Sequence, residues 1–427
     1  MKLGIVADDF TGATDIASML VRGGLRTVQL IGVPGDTVPA EAADADAVVV
    51  ALKSRTAPVD LAVAESLAAL RWLRAAGAER FILKVCSTFD STPAGNIGPV
   101  AEAMMDALSD EYGCTQTLVS PAFPENGRTV FRGHLFVGDA LLSETGMRSH
   151  PLTPMTDANL VRVMQAQSRR PVGLLRHDTV AAGADAIRAR LAALAAEGVA
   201  HVIADAIDNH ALLLLAEGAS ALPLWVAGSG LALGLPALLA AQSGVQLDAQ
   251  AAQLDALTGP AAVLAGSCAT ATQGQVARWI AAGRPALKID PAALARGEPV
   301  AAQALAWAIA QPQAPLVYAT ADAPTLAATQ AALGVAEAGA LVEQALAAIA
   351  CGLVAHGVQR LVVAGGETSG AVVQALGVRA LRIGAAICPG VPWTQAVRAA
   401  GQPPLQLALK SGNFGGPDFF AEALATQ

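Results

Sequence analysis

The sequence predicts an α/β protein of two domains, each built around a mostly parallel sheet flanked by helices. Three observations carry this. The chain has 427 residues, too many for one ordinary core. A short apolar run, a Gly/Ser/Thr/Asp loop and an Ala/Leu helix recur along it. The apolar runs are continuous instead of alternating, which marks strands buried on both faces, and strands alternating with helices build parallel sheets. In such sheets ligands bind beyond the carboxyl ends of the strands, so the recurring loops are where function is expected.

The units follow in order. "KLGIVADDFTGATDIASMLVRGG" is the first strand, loop and helix. "RFILKVCSTFDSTPAGNIGPVAEAMMDAL" repeats the pattern, with Pro93 and Gly95 marking the loop. "GRTVFRGHLFVGDALL", from Gly127, breaks it. This stretch reads as a hairpin turning near Arg132, Gly133 and His134, suited to a flap or an edge ribbon. "LPLWVAGSGLALGLPALLAA" reads as strand, loop and helix. A polar, Gln-rich stretch near residues 245 to 258 is the expected domain boundary, giving domains of 1–245 and 246–427. The second domain begins with "AAVLAGSCATATQGQVARWIAAG" and continues through "QRLVVAGGETSGAVVQALG" to "PLQLALKSGNFGGPDFFAEAL". No fixed-period sequence repeat is evident.

Composition narrows the function. Apolar residues are 54% of the chain, charged residues 15%, and the net charge is −8. With no basic tract, nucleic acid is not an expected partner. Anions would have to be held by loop amides, helix N-termini and a few placed cations. Five cysteines in no metal-binding spacing read as thiols of a reducing cytoplasm. The first apolar run ends in Asp8-Asp9, unlike a signal peptide. Residues Gly218 to Leu247 carry no charge, but two prolines and several glycines interrupt them, so no membrane span is expected.

Three loops of the C-terminal half have anion-binding character. Gly365, Gly366, Glu367, Thr368, Ser369 and Gly370 follow the run Leu361–Ala364 and open a helix, where Thr368 and Ser369 are placed to cap it. Ser411, Gly412, Asn413, Phe414, Gly415 and Gly416 precede Pro417, read as the start of the next helix. Gly266 to Thr272 is the third. Together they suggest one shared phosphate-binding rim, although each alone is also a plain turn before a helix. There is no Walker lysine spacing. Glu367 is an acid inside an anion loop, a conflict that a magnesium ion would remove.

The N-terminal half offers acids and cations. At an extended strand end, neighbouring side chains point to opposite sides, so Asp8 and Asp9 are expected to have different jobs. One would hold the turn; the other would orient a hydroxyl and accept its proton. The simpler alternative is that Asp9 and Thr11 only cap a helix. Asp15 is a further acid near that end. Lys53 and Arg55 follow the run Ala47–Leu52, and Arg55 is suited to grip a carboxylate bidentately. Lys84, Ser87, Thr88 and Asp90 follow the next run. Lys84 lies within an apolar strand and needs a partner or a changed pKa. His134 reads more as a turn residue than as an acid or base. The sum is a kinase: a small hydroxy acid on the N-terminal half, a nucleotide and its metal on the C-terminal half, and water excluded by closure.

"ADDFTGATDIA", "LKVCSTFDSTPAGNIGPV", "GGETSGAVVQALG", "ICPGVPW" and "LKSGNFGGPDFF" together resemble the four-carbon acid sugar kinase family, in the family's order and over nearly the whole chain. The phenylalanine of "DDFTGATD" and the "KSGNFGG" ending are most similar to the branch acting on 3-oxo-tetronate. The resemblance implies a sugar-acid-binding N-terminal domain, a nucleotide-binding C-terminal domain and ATP-dependent phosphorylation of a terminal hydroxyl. Carried over by motif, Ser267, Gly365 to Thr368, Gly390 and Gly412 would touch ATP, and Asp8, Asp9, Arg55, Lys84 and Ser87 would face the substrate. Ala269 stands where the family pattern leads one to expect a hydroxyl residue. Threonate and erythronate kinases of the same family are the nearest alternative. A dinucleotide-dependent oxidoreductase lacks its GxGxxG fingerprint here, and a non-catalytic sensor leaves Asp8-Asp9 unexplained. Expected partners are thus the sugar acid, ATP and Mg²⁺, with a homodimer a further possibility.

Overall fold

The computed structural model describes residues 1–35, 39–150, 152–398 and 401–425. By internal contact the chain divides into two units, Met1–Ala252 and Gln253–Gln427, within the polar stretch that the sequence marks as a boundary.

The N-terminal unit holds strands β1 (Leu3–Ala7), β2 (Thr27–Ile31), β3 (Ala47–Ala51), β4 (Arg80–Lys84), β5 (Thr117–Ser120), β6 (Arg128–Phe131), β7 (His134–Val137), β8 (Ala140–Leu141), β9 (Val172–Leu175), β10 (His201–Ala204) and β11 (Leu224–Ala227). Eight of them form a sheet in the order β2-β3-β1-β4-β11-β5-β10-β9, parallel at every pairing. All residues of β1 and β3 are buried, as continuous apolar runs require when helices cover both faces. The hairpin expected at Arg132-Gly133 is present: β6, β7 and β8 form a separate antiparallel ribbon. Arg132 and Gly133 take positive φ at its tip, and both their N–H groups donate to the Asp205 carboxylate at 2.8 Å. His134 opens β7 directly after the tip, its ring nitrogens lying 3.0 Å from Arg132 O and 3.3 Å from Asn159 Nδ2.

The C-terminal unit holds β12 (Ala261–Ala265), β13 (Ala286–Lys288), β14 (Leu316–Tyr318), β15 (Arg360–Ala364), β16 (Ala380–Cys388), β17 (Val391–Ala396) and β18 (Gln406–Lys410). Their order is β13-β14-β12-β15-β18-β17-β16. The first five are parallel; β17 runs antiparallel to β18 and β16. A core of Val263, Val362, Trp279, Trp393, Phe419 and their neighbours holds β12, β15 and β17 to the helices Thr270–Ala281 and Phe419–Ala425. The expected fold class, two α/β units with mostly parallel sheet, is therefore the one observed.

Two apolar stretches could suggest a membrane. The Gly218–Leu247 stretch forms β11, a short 3₁₀ segment and the helix Leu235–Ser243. The segment Ala336–Ala355 is long and apolar enough to span a bilayer by length and composition, and its Leu346, Ile349, Ala350 and Leu353 are buried within the unit.

The two units share a strand permutation. In each, the first strand is followed by one placed two positions to its side, the third fills the gap, and the fourth lies on the first strand's other flank. The orders β2-β3-β1-β4 and β13-β14-β12-β15 correspond. The direction of winding therefore reverses beside β1 and beside β12. The crevices β1/β4 and β12/β15 are the topological switch points where α/β sheets bind ligands.

Candidate functional site

The N-terminal crevice is built by three strand ends. Asp8 and Asp9 follow β1, Arg55 follows β3, and Lys84 ends β4. The backbone fixes their approach: Asp8 N–H donates to Lys84 O at 3.1 Å, and Ser54 and Arg55 N–H donate to Asp8 O at 3.1 and 3.2 Å. Asn96 secures the next loop, donating from Nδ2 to Ser54 O and Ala57 O at 2.8 Å.

Arg55 is the hub. Its Nε and Nη2 grip both Asp8 oxygens at 2.9 and 2.8 Å, Nη2 lies 2.9 Å from Asp9 Oδ1, and Nη1 lies 3.5 Å from Asp90 Oδ2. The bidentate carboxylate grip expected of Arg55 thus exists, but on the protein's own Asp8. The expectation that Asp8 and Asp9 point to opposite sides does not hold. One guanidinium draws both side chains together, because three acids in one crevice need a shared counter-charge. Asp9 also caps the helix Phe10–Arg22, with Oδ1 accepting from Gly12 N at 2.8 Å and Oδ2 from Thr11 Oγ1 at 2.9 Å.

The two aspartates titrate apart. Burial pulls both carboxyls upward. At Asp8 it outweighs Arg55, and the pKa is raised. At Asp9 the combined pull of Arg55, Lys84, Thr11 and the Gly12 N–H outweighs burial, and the pKa is lowered. Asp9 is also the more exposed, 17% of its side chain against 9% for Asp8. Burial works against the Arg55 charge too, but Asp8 and Asp9 prevail and hold it firmly cationic.

The loop after β4 carries the rest. Lys84 is 1% exposed, and its ammonium donates to Val85 O at 2.9 Å. Phe89 and Asp90 both adopt positive φ, 62° and 39°, a strained turn that aims Asp90 back at Arg55. Thr88 Oγ1 donates to Asp90 Oδ1 at 2.9 Å, and Ser87 is buried in the same turn. Burial, followed by Asp90, pushes the neighbouring Cys86 thiol up to about 12. Asp15 lies inside the helix that Asp9 caps, and burial pushes its carboxyl up to about 6. Arg128, at the start of β6, acts electrostatically on Asp15, Asp90 and Cys86; nothing in the sequence pattern linked it to this crevice.

In the C-terminal unit the three small-residue loops do converge. Gly266 and Ser267 N–H donate to Ala364 O at 3.0 and 3.2 Å, and Gly365 N–H to Lys410 O at 2.8 Å. A Cβ on Gly266 would lie 2.1 Å from Thr368 Oγ1, and one on Gly412 would lie 2.2 Å from Ser267 Oγ. Glycine at these points lets three backbones meet at one rim. Gln275 ties the last loop down by donating to the carbonyls of Phe414, Gly415 and Gly416, each at 3.0 Å.

Beside this rim lies a cavity of ≈ 250 Å³, walled by Gly266–Cys268, Gly365–Thr368 and the apolar Ala319, Leu326, Ala338 and Val342. A glycine-amide end and an apolar end suit a ligand with one anionic and one planar apolar part. A second cavity, ≈ 300 Å³, lies against Trp279 and Phe420, with Arg284 stacked over the indole at 4.8 Å, away from the strand ends.

Some details differ from expectation. Gly365, at φ 128°, lets the chain turn straight from β15 into the helix Gly366–Ala375, so Thr368 and Ser369 lie in its first turn and do not cap it. Glu367 sits in that turn, where its charge favours the helix dipole. Pro417 stands two residues ahead of the last helix, Phe419–Ala425. Asn413 is exposed on the Ser411–Gly416 loop, and Gly390 occupies the β16–β17 turn, outside the described cavity walls. Ala269 is the residue at the N-cap of the helix Thr270–Ala281 and makes no side-chain cap bond.

The sequence reading missed Lys410. This residue ends β18 with 0% exposure. Its ammonium donates to Ser411 O, Gly412 O, Phe414 O and Thr272 Oγ1 at 2.9 to 3.1 Å. Burial pushes its pKa down to about 7. The available signal was a lysine closing an apolar run immediately before a glycine loop, the pattern that drew attention to Lys84.

Among known proteins, residues 3–235 match the family model of a sugar-binding N-terminal domain, and residues 262–420 that of a nucleotide-binding C-terminal domain. A 3-oxo-tetronate kinase of Cupriavidus necator is 61% identical over 99% of this chain and 96% of its own. One of Pseudomonas savastanoi pv. phaseolicola is 59% identical over the same shares. Among solved structures, a Haemophilus influenzae protein aligns with TM-score 0.74 at 43% identity, over 99% of both chains. A Salmonella typhimurium LT2 protein described as a tRNA synthase aligns with TM-score 0.81 at 43% identity, over 99% of this chain and 98% of its own.

Proposed function

This chain belongs to the four-carbon acid sugar kinase family, and from that premise we propose that it transfers the γ-phosphoryl group of ATP to the C4 hydroxyl of 3-oxo-tetronate. The products are 3-oxo-tetronate 4-phosphate and ADP. The observation that carries the reading is the 61% identity to a 3-oxo-tetronate kinase over nearly the full length of both chains. The two crevices agree with it in chemistry. An acid–guanidinium cluster suits a hydroxy acid, and a glycine-rich rim of backbone amides beside a largely apolar cavity suits a nucleotide. A net charge of −8 and the absence of a basic tract speak against tRNA as the substrate.

In this reading Asp9 is the general base. It is held ionised, it is the more exposed of the pair, and its helix cap fixes its direction. Asp9 takes the proton of the C4 hydroxyl as that oxygen bonds to the γ-phosphorus. The bond from the γ-phosphorus to the bridging oxygen breaks, and ADP leaves with its electron pair. Asp8 anchors Arg55. The outer nitrogen of Arg55, with Ser87, Thr88 and Asp90, faces the sugar acid, and Lys84 keeps Asp9 charged from below. Ser267, Gly365, Gly366, Thr368, Gly412 and Asn413 hold the phosphates, and Gly390 is assigned to the nucleotide by its motif alone.

Magnesium is the expected companion of the nucleotide. Among the described residues no cluster of three His, Cys, Asp or Glu could cage a metal, but Glu367 and Glu343 both line the cavity. One or two carboxylates plus phosphate oxygens and water are the usual setting for Mg²⁺. Glu367 would hold the ion, which would neutralise phosphate charge. The reaction is assigned to the cytoplasm, where ATP and reduced thiols coexist; the described cysteines are all free. A homodimer remains a further expectation, to be read by light scattering.

The decisive experiment measures ADP release against 3-oxo-tetronate, D-threonate, L-threonate and D-erythronate, with and without Mg²⁺. Release only with Mg²⁺, and fastest with the 3-oxo acid, is the expected result. The acids differ at C3, ketone against hydroxyl, and a pocket built to hydrogen-bond one can reject the other strongly. Faster turnover of any of the three hydroxy acids would reassign the substrate.

A further inference from the structure

We propose that Lys410 is the positioning residue of the nucleotide rim, a buried ammonium that shapes the Ser411–Phe414 loop and joins it to the two other glycine loops. The inference rests on the reading of that rim as the ATP site. Four contacts argue for it. Three carbonyls of one loop, those of Ser411, Gly412 and Phe414, converge on Nζ within 3.1 Å. The fourth acceptor, Thr272 Oγ1, belongs to the helix that follows the Gly266 loop, and it donates in turn to Gly412 O at 2.8 Å. The Lys410 main chain completes the link, since its carbonyl accepts from Gly365 N–H at 2.8 Å. One residue thus touches all three loops, through its backbone, its ammonium and Thr272.

The geometry separates this role from that of a phosphate-binding lysine. An ammonium has three N–H donors. Four oxygens already surround this one, and the residue is wholly buried, so no donor is left to reach a ligand. Lys410 acts through Gly412, whose close approach to Ser267 depends on where the loop is held. Aromatic cover from Phe419, with its ring centroid 5.9 Å from Nζ, closes the site from the other side. The lysine also places a positive charge beneath amides that would meet phosphate, in a chain that is acidic overall.

The test uses the full-length enzyme and three variants. Lys410→Met removes the charge and all four bonds at similar length. Thr272→Val removes only the bridge, and Thr272→Ser keeps its hydroxyl. Calorimetry reads ATP binding, and steady-state kinetics read KM for each substrate and kcat. Misplacing a binding element by about an ångström costs on the order of 10²-fold, so Lys410→Met should weaken ATP binding by about that factor. KM for the sugar acid should stay unchanged. Thr272→Val should weaken ATP binding by a smaller factor at unchanged kcat, and Thr272→Ser should restore it. If Lys410→Met does not fold, the Thr272 pair decides. ATP affinity within the wild-type range in folded Lys410→Met, or in Thr272→Val, overturns the proposal. Failure of the wild-type enzyme to bind ATP at all would instead overturn the reading of the rim, and the proposal with it.

Discussion

The two units wind their first four strands in one order and place a crevice at the same point, yet they fill it with opposite chemistry. Beside β1 stand Asp8, Asp9 and Asp90 around Arg55. Beside β12 stand glycines, serine and threonine, with Lys410 sunk below the surface of the rim. The helix after the first strand shows the contrast most plainly. In the N-terminal unit Asp9 caps it; in the C-terminal unit Ala269 stands at the N-cap with no cap bond. A cap occupies the helix N–H groups, and an uncapped end offers them to an anion. The lesson is that strand order fixes where a ligand goes, while a handful of loop residues decide which ligand it is.

The sharpest way to break that comparison is to damage each crevice separately. Asp9→Asn should lower kcat by about 10²- to 10⁴-fold, the usual worth of a general base. Folding should survive, because asparagine caps a helix as well as aspartate does and can still accept from Gly12 N. ATP binding, in the other unit, should not change. The mirror variant is Gly412→Ala, whose Cβ would stand 2.2 Å from Ser267 Oγ. It should raise KM for ATP and leave sugar-acid binding alone. Calorimetry with each ligand on both variants checks this, and loss of the wrong ligand in either one would dissolve the division of labour.

Acid should expose a buried histidine of the N-terminal unit. His201 in β10 is wholly buried, 3.6 Å from Glu102 Oε1, and burial pushes its pKa down to about 4. The folded state therefore binds fewer protons than the unfolded chain between about 4 and 6.5. Stability is complete above the upper value and is lost as pH falls through this window, by about 3 kcal/mol. Lys410 behaves differently. With a folded pKa of about 7, below the unfolded value, it loses stability mainly as pH falls toward 7 and is almost fully protonated only by about 6, so most of its slope lies above this window. Asp15, in the same unit as His201, works the other way: with its carboxyl raised to about 6, the folded state binds more protons from about 6 down to about 4 and gains stability as pH falls. The histidine is therefore read by difference. Melted between pH 7 and 4, His201→Leu should gain on the wild type by about 3 kcal/mol toward the acid end; a constant gap between the two would move the cause elsewhere.

Much of this was legible in the sequence. Continuous apolar runs such as Val48–Val50 identify strands buried on both faces, and Gly/Ser loops after them place the strand ends. The hairpin at Arg132-Gly133 follows from local pattern, and the strand-end positions of Asp8, Asp9, Arg55 and Asp90 mark each of them as a candidate. The rest depends on long-range pairing. Nothing in the residues around Asp8 says that Arg55, 47 positions later, will bridge both acids. Nor does any repeat in sequence betray the shared strand order, because topology constrains apolar pattern and leaves residue identity free. Lys410 was missed for a related reason: its partners are backbone carbonyls, which every residue has, so no partner residue type could signal it.

The smallest expected effect tests the uncapped helix itself. Ala269 has extended backbone angles, φ −63° and ψ 147°, which already suit an N-cap. Only the side-chain acceptor is lacking, and Ser267 Oγ sits 3.2 Å from Ala269 N–H instead of reaching the helix amides. Ala269→Ser should let the new hydroxyl accept from the N–H two or three residues on, stabilising the ligand-free protein by about 1 kcal/mol. In a unit of this size that is a rise in Tm of roughly 2–4 °C. The same hydroxyl would compete with phosphate for the amides, so the further rise in Tm on adding ATP should shrink. A variant that melts like the wild type with and without ATP would mean that these amides are neither available to a cap nor used by the nucleotide, and the contrast between Asp9 and Ala269 would then be one of sequence alone.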